Sequence, residues 1–137
     1  MRYFTVHEAQ ALLPRLRKSL EALRRTRDEA VLKKTHVDML WKRLDAGEAV
    51  LGTVGEEQQR LDALVSRLAE IAQDIEGIGC ILRDADAGLV DFPARARGGR
   101  MVFLCWRLGE PEIAFWHGTG EGFAGRKPLA ELPVDQA

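Results

Sequence analysis

Asp91, Cys105, Glu110 and His117 are the side chains of this sequence that could hold a metal ion or move a proton together. Carboxylate, thiolate and imidazole are the groups that zinc-like divalent ions take from proteins. The four fall within 27 residues, from Asp91 to His117. Their spacing matches no standard zinc pattern, so a shared ion requires the fold to bring them together. Asp91 beside His117 would also form a base and the carboxylate that orients it. The simpler alternative is a half-buried histidine that satisfies itself on a carboxylate. Cys105 next to Arg107 offers a thiol, but neighbouring charge alone does not make a thiol reactive. No nucleophile elbow of the G-x-S-x-G kind occurs. Gly98-Gly99-Arg100 and Gly118-Thr119-Gly120-Glu121-Gly122 lack the Lys-Ser/Thr of a phosphate loop and open no helix, so they read as turns.

Aromatic and cationic side chains surround these groups. The candidate functional surface is Asp91, Cys105, Trp106, Arg107, Glu110, Trp116, His117 and Arg126. Trp106 and Phe115 are expected to fill a sheet–helix interface. Trp116 is expected on the opposite, exposed face with Cys105 and Arg107.

The elements that must position them read as a small antiparallel meander of three or four strands over about 80–117. Ile81-Leu82-Arg83 and Leu89-Val90-Asp91-Phe92 flank a turn-rich loop, and Gly98-Gly99 signals a two-residue hairpin. If Leu108 faces Ile113, then Leu104, Trp106 and Leu108 share the core face with Ile113, Phe115 and His117. Phe103, Cys105, Arg107, Ala114 and Trp116 take the other face. Pairing across Gly98-Gly99 sets Asp91 opposite Trp106, so Asp91 meets His117 while Cys105 points away. The tail, 118–137, is rich in Gly, Pro and polar residues and reads as a loop.

Before the meander, about 5–78 reads as a long antiparallel helical hairpin. Thr5-Val6-His7-Glu8 fits a capping box. A heptad follows, with Ala9, Leu16, Leu23, Ala30, Val37 and Leu44 at one position and Leu13, Leu20, Arg27, Lys34 and Trp41 at the other. The helix spans roughly 58 Å at about 1.5 Å per residue, with Pro14 as a kink or a break. The three glycines of 45–55 mark a connector. A second heptad runs through Leu61, Leu64, Leu68, Ile71, Ile75 and Ile78. Arg27 and Lys34 would intrude on the seam. The second helix is the shorter, so Val37, Met39, Leu40, Trp41 and Leu44 would keep an uncovered apolar face that invites a second copy.

Charge restricts the partners. The net charge is −1, which gives no global field for nucleic acid or anionic membrane. Residues 15–34 carry eight basic and three acidic side chains, whereas 56–76 carry six acidic and two basic. Complementing one another across the hairpin is the simpler reading; contact with nucleic acid is the sharper one. No apolar run is long enough to span a bilayer. No signal-peptide pattern opens the chain, and the two cysteines sit in no C-x-x-C pair. A cytoplasmic protein of one domain, 1–137, is expected.

Several segments together resemble the bacterial domain-of-unknown-function family 2203. They are Tyr3-Phe4-Thr5-Val6-His7-Glu8-Ala9 with Leu12-Leu13-Pro14, Gly88-Leu89-Val90-Asp91-Phe92-Pro93, Leu104-Cys105-Trp106-Arg107-Leu108-Gly109-Glu110 with Trp116-His117, and Gly122-Phe123-Ala124-Gly125-Arg126. The resemblance implies a small bacterial protein with this helix-then-strand order. It implies no activity and carries over no catalytic residue.

The sequence therefore predicts an α+β protein, a long antiparallel helical hairpin followed by a small antiparallel β-meander. The leading function is a non-enzymatic interaction or scaffold module acting as a homodimer or on a protein partner. The first alternative is a small metal- or cofactor-binding protein that holds a divalent metal on Asp91, Cys105, Glu110 and His117. The second is nucleic-acid binding by the basic first helix.

Overall fold

The computed structural model describes residues 1–132. Its elements are helix α1 (Val6–Asp45), helix α2 (Leu51–Gly77) and strands β1 (Ile81–Asp84), β2 (Leu89–Arg95), β3 (Met101–Arg107), β4 (Phe115–Gly118) and β5 (Lys127–Pro128). The α+β order of two long helices and then an antiparallel sheet is the one the sequence predicts. Residues 133–137 of the expected tail lie outside the described residues.

The chain forms two compact units, one of residues 1–20 with 73 onward and the other of residues 21–72. The first holds the sheet. Its α1 segment starts at the capping box: the Glu8 N–H donates to Thr5 Oγ1 at 3.1 Å and the Thr5 N–H to Glu8 Oε1 at 2.9 Å. Pro14 sits inside α1 without ending it. Leu13, Leu16 and Leu20 are fully buried, and each contributes about 1.5–3 kcal/mol by leaving water.

The five strands form a simple meander in chain order, all antiparallel. The fifth strand comes from the tail, which reads as a loop in sequence. Phe4 meets Phe92 edge-on at 5.1 Å, and the Arg17 guanidinium lies 5.7 Å from the Trp106 ring. The face carrying Val90, Phe92, Leu104, Trp106 and Trp116 is thus the one the α1 segment covers.

Register differs from the expectation by one residue at two places. Asp91 pairs with Cys105, not Trp106, and Phe103, not Leu104 or Trp106, shares its face with His117. The β2–β3 turn has three residues, Arg97, Gly98 and Gly99, closed by the Ala96 N–H on Arg100 O at 2.8 Å. One residue more than a two-residue hairpin moves the pairing by one. Ile113 lies outside β4, its N–H donating to Gln10 Oε1 at 3.0 Å, so it sets no register.

The other unit is the helical hairpin. The connector is shorter than expected: α2 begins at Leu51 and includes Gly52 and Gly55. The uncovered face predicted at the end of α1 is therefore covered in part: Val37 and Leu40 are buried and Leu44 is half-buried, while Met39 and Trp41 are exposed. Arg27 and Lys34 do not intrude on the seam, since both are exposed. Lys33 takes the inward place and donates to the buried Glu57 at 2.5 Å. No helix among the described residues is long and apolar enough to cross a membrane.

Candidate functional site

The second face of the sheet, away from Trp106, is polar at its centre. Strand alternation puts Asp91 on β2, Cys105 on β3 and His117 on β4 on this face. All three are buried, and one ligand atom from each lies within 4.8 Å of the others. The one-residue shift in register is what adds Cys105 to the pair. Glu110 is not brought in: it accepts the Arg107 N–H at 2.7 Å and pairs with Arg126 at 2.6 Å.

Asp91 is held from two sides. Arg83 Nε donates to Oδ2 at 2.8 Å, and His117 Nε2 lies 3.1 and 3.0 Å from the two carboxylate oxygens. Arg83 reaches across from β1, where the pairing with β2 is irregular between Leu82 and Asp84. Its guanidinium sits 5.0 Å from the Phe103 ring. The sequence reading missed Arg83; the available signal was its place on the strand expected beside Asp91.

Hydrogen-bond chemistry assigns the imidazole. His117 Nδ1 is 2.9 Å from the Gly118 carbonyl oxygen, which only accepts, so Nδ1 carries a hydrogen. Nε2 is then the nitrogen that meets Asp91. Protonated, it donates to the carboxylate; unprotonated, it offers a lone pair to an ion. A backbone carbonyl on the far nitrogen is the usual support of a metal-binding histidine.

Burial pushes the Cys105 thiol up to about 12, aided by the negative charge of Asp91 and opposed by Arg126. The thiol is therefore protonated at neutral pH and is no free nucleophile. A metal cation is the agent that displaces such a proton. Arg126 is itself sandwiched, 3.9 Å from Phe115 and 4.4 Å from Phe123, and its buried Nε has no hydrogen-bond partner among the described residues.

A cleft of about 230 Å³ leads to Asp91 and His117, lined also by Arg83, Leu89, Thr119, Glu121 and Phe123. The remaining expected residues fall elsewhere. Trp106 is buried on the helix-covered face, where its Nε1 donates to Glu110 O at 3.1 Å. Trp116 is also buried on that face, not exposed with Cys105 and Arg107. The pairing Leu104↔Trp116 makes this so. Phe115, expected in the sheet–helix interface, is on the polar face opposite Cys105. Arg107 is exposed, with its guanidinium 5.8 Å from the Phe123 ring.

Several cations of the basic segment have internal partners. Arg17 donates to Pro111 O at 2.7 Å, Lys33 binds Glu57, and Lys34 pairs with Asp38 at 2.9 Å.

The family model described as an uncharacterized conserved protein, DUF2203, matches residues 2–129, and the chain belongs to that family. No curated protein and no solved structure matches.

Proposed function

We propose that this protein binds one divalent ion of the zinc class through Asp91, Cys105 and His117, with a fourth position open toward the cleft. The observation that carries the reading is the convergence of an oxygen, a sulfur and a nitrogen ligand, all buried, within 4.8 Å. Tetrahedral zinc separates such ligand atoms by roughly 3.3–3.8 Å, from bonds of about 2.0–2.3 Å. The Asp91–His117 contact at 3.0 Å must open slightly and the wider separations must close. Three protein ligands and one vacant position are the pattern of ions that meet a further molecule, whereas purely structural ions are enclosed by four. Two free, buried cysteines support the inference of a reducing compartment, the bacterial cytoplasm.

The test is titration of chelator-treated protein with Zn²⁺ and with Co²⁺. One ion per chain is expected, with a thiolate-to-cobalt charge-transfer band that Cys105→Ser abolishes. His117→Ala should weaken binding strongly. Absence of binding at micromolar ion, or binding that neither substitution changes, rejects the reading.

We propose a second reading, a homodimeric interaction module, on a separate observation. The hairpin unit exposes Val31, Leu32, Met39, Trp41, Leu51 and Val65. Scattered apolar residues are normal on a surface, so contiguity across a partner is the point to test. A concentration-dependent dimer in sedimentation velocity, lost in Leu32→Lys with Met39→Lys, supports it. A monomer at tens of micromolar rejects it.

A further inference from the structure

Arg83 is placed to do more than hold Asp91. Its Nε is committed to Oδ2 at 2.8 Å, yet 43% of its side chain is exposed, and it lines the cleft. Among the described residues no carboxylate other than Asp91 pairs with it. A guanidinium presents five N–H donors in a planar fork, so one bond to Asp91 leaves donors for another oxygen acid. Phe103, 5.0 Å beneath, limits the tilt of that plane.

The other charges around the cleft are already met. Glu121 Oε1 accepts the Gly118 N–H at 2.9 Å and Lys127 Nζ at 2.6 Å. Glu110 is paired with Arg126. An ion held by Asp91 and the Cys105 thiolate would be neutralised by its own ligands. Arg83 then remains as the positive charge of the cleft. Thr119 adds a hydroxyl to the lining and the half-exposed Phe123 an apolar wall.

We propose that this cleft takes a small oxyanion, a carboxylate or a phosphate, which Arg83 binds and which occupies the open position on the ion. The inference rests on the metal reading above. The cleft has room for a small acid: its volume of about 230 Å³ equals roughly eight water volumes of about 30 Å³ each. That suits a small acid; drug-sized ligands and nucleotides use pockets of about 300–1,000 Å³.

The experiment uses the full chain saturated with Co²⁺ and titrated with acetate in one arm and inorganic phosphate in the other. The visible bands of the bound cobalt and the heat of mixing are both read. A saturable band shift in wild type is expected, and the arm with the tighter binding identifies the acid. With cobalt raised until each protein is saturated, Arg83→Met should weaken anion binding by about tenfold or more, the scale of a lost hydrogen bond to a charged group. Arg83→Gln, which keeps a donor for Asp91 but drops the charge, should behave alike and serves if Arg83→Met does not fold. Cobalt bands that neither anion moves overturn the inference and leave the metal site standing. Equal anion affinity in Arg83→Gln and wild type does the same. Failure of cobalt to bind overturns both.

Discussion

Asp91 and Glu57 are both carboxylates taken out of water, one on a strand and one on a helix. Glu57 meets Lys33 Nζ at 2.5 Å, Arg60 at 2.6 Å and, at a looser 3.6 Å, His36 Nδ1. Asp91 meets Arg83, His117 and, across the strand pair, Cys105. Asp91 is the more deeply buried, and the partners differ. Ammonium and guanidinium groups neutralise a carboxylate but cannot join it around a metal, because they bring donors and no lone pair. Imidazole and thiol bring both: Glu57 has the half-exposed His36 at 3.6 Å and no thiol beside it among the described residues, whereas Asp91 has a buried imidazole and a buried thiol. Lys33 and Arg60 reach Glu57 on long, flexible stems, and Lys33, His36 and Arg60 all reach water. The side chains around Asp91 sit on neighbouring strands, which fix their separation to the pleat. A buried carboxylate alone therefore marks a charge that needed company. Its company decides whether chemistry is available.

Removing each carboxylate is the strongest way to break this comparison. Asp91→Ala returns the half-exposed Arg83 to water but leaves the buried His117 without its acceptor, and should cost about 3 kcal/mol, read by urea denaturation. Next comes the ion. Zn²⁺ at one hundred times its dissociation constant should stabilise wild type by about 2.7 kcal/mol. Glu57→Gln should keep that gain in full and Cys105→Ser should lose it; a gain lost in Glu57→Gln would erase the distinction. The cysteines give a third measure. With burial pushing Cys80 up to about 11 and Cys105 to about 12, iodoacetamide at pH 8 should label the native protein at least about a hundredfold more slowly than the urea-unfolded chain.

The hairpin side is tested with acid. The Lys33 hydrogen bond, joined by the charges of Lys33, Arg60 and His36, holds the Glu57 carboxyl below its ordinary 4.5. A depressed value means that the unfolded chain takes up the proton first. The contribution is complete above pH 4.5 and disappears as pH falls through the lower folded value. The stability gap between wild type and Glu57→Gln should therefore be constant from pH 5 to 7 and close in stronger acid. A gap that widened on acidification would contradict the ion-pair account. The smallest effect provides a scale for an exposed polar contact: Thr5→Ala breaks the capping box and should cost about 1 kcal/mol.

The helical half was legible in the sequence because its signals are local. The capping box and the heptads define both helices, both ends of α1 and the end of α2; the start of α2, at Leu51, lies inside the segment expected to be connector. Lys34 was placed on the seam in error because a heptad tolerates a one-residue choice between Lys33 and Lys34, and the buried Glu57 across the hairpin decides for Lys33. Gly52 and Gly55 read as a connector because glycine disfavours helices, but the chain absorbs that cost inside α2. The sheet was harder for a different reason. Along β3, Val102, Phe103, Leu104, Cys105 and Trp106 are all buried, so no polar alternation says which face each side chain takes. Asp91 and His117 were paired correctly because both errors in register have the same size and direction. Cys105 sits on the strand between them, and for it the errors did not cancel.

The two outermost strands bear on how this protein behaves when concentrated. Open sheet edges recruit strands from other chains and seed aggregation unless something blunts them. Here β5 is two residues long and one of them is Pro128, which has no N–H to offer a newcomer. At the opposite edge β1 is short, ends in Arg83 and Asp84, and loses its regular pairing there. Neither border is a template for continued strand addition. The irregularity at Arg83 thus has two uses: it serves the polar face of the sheet and it closes the sheet against its neighbours.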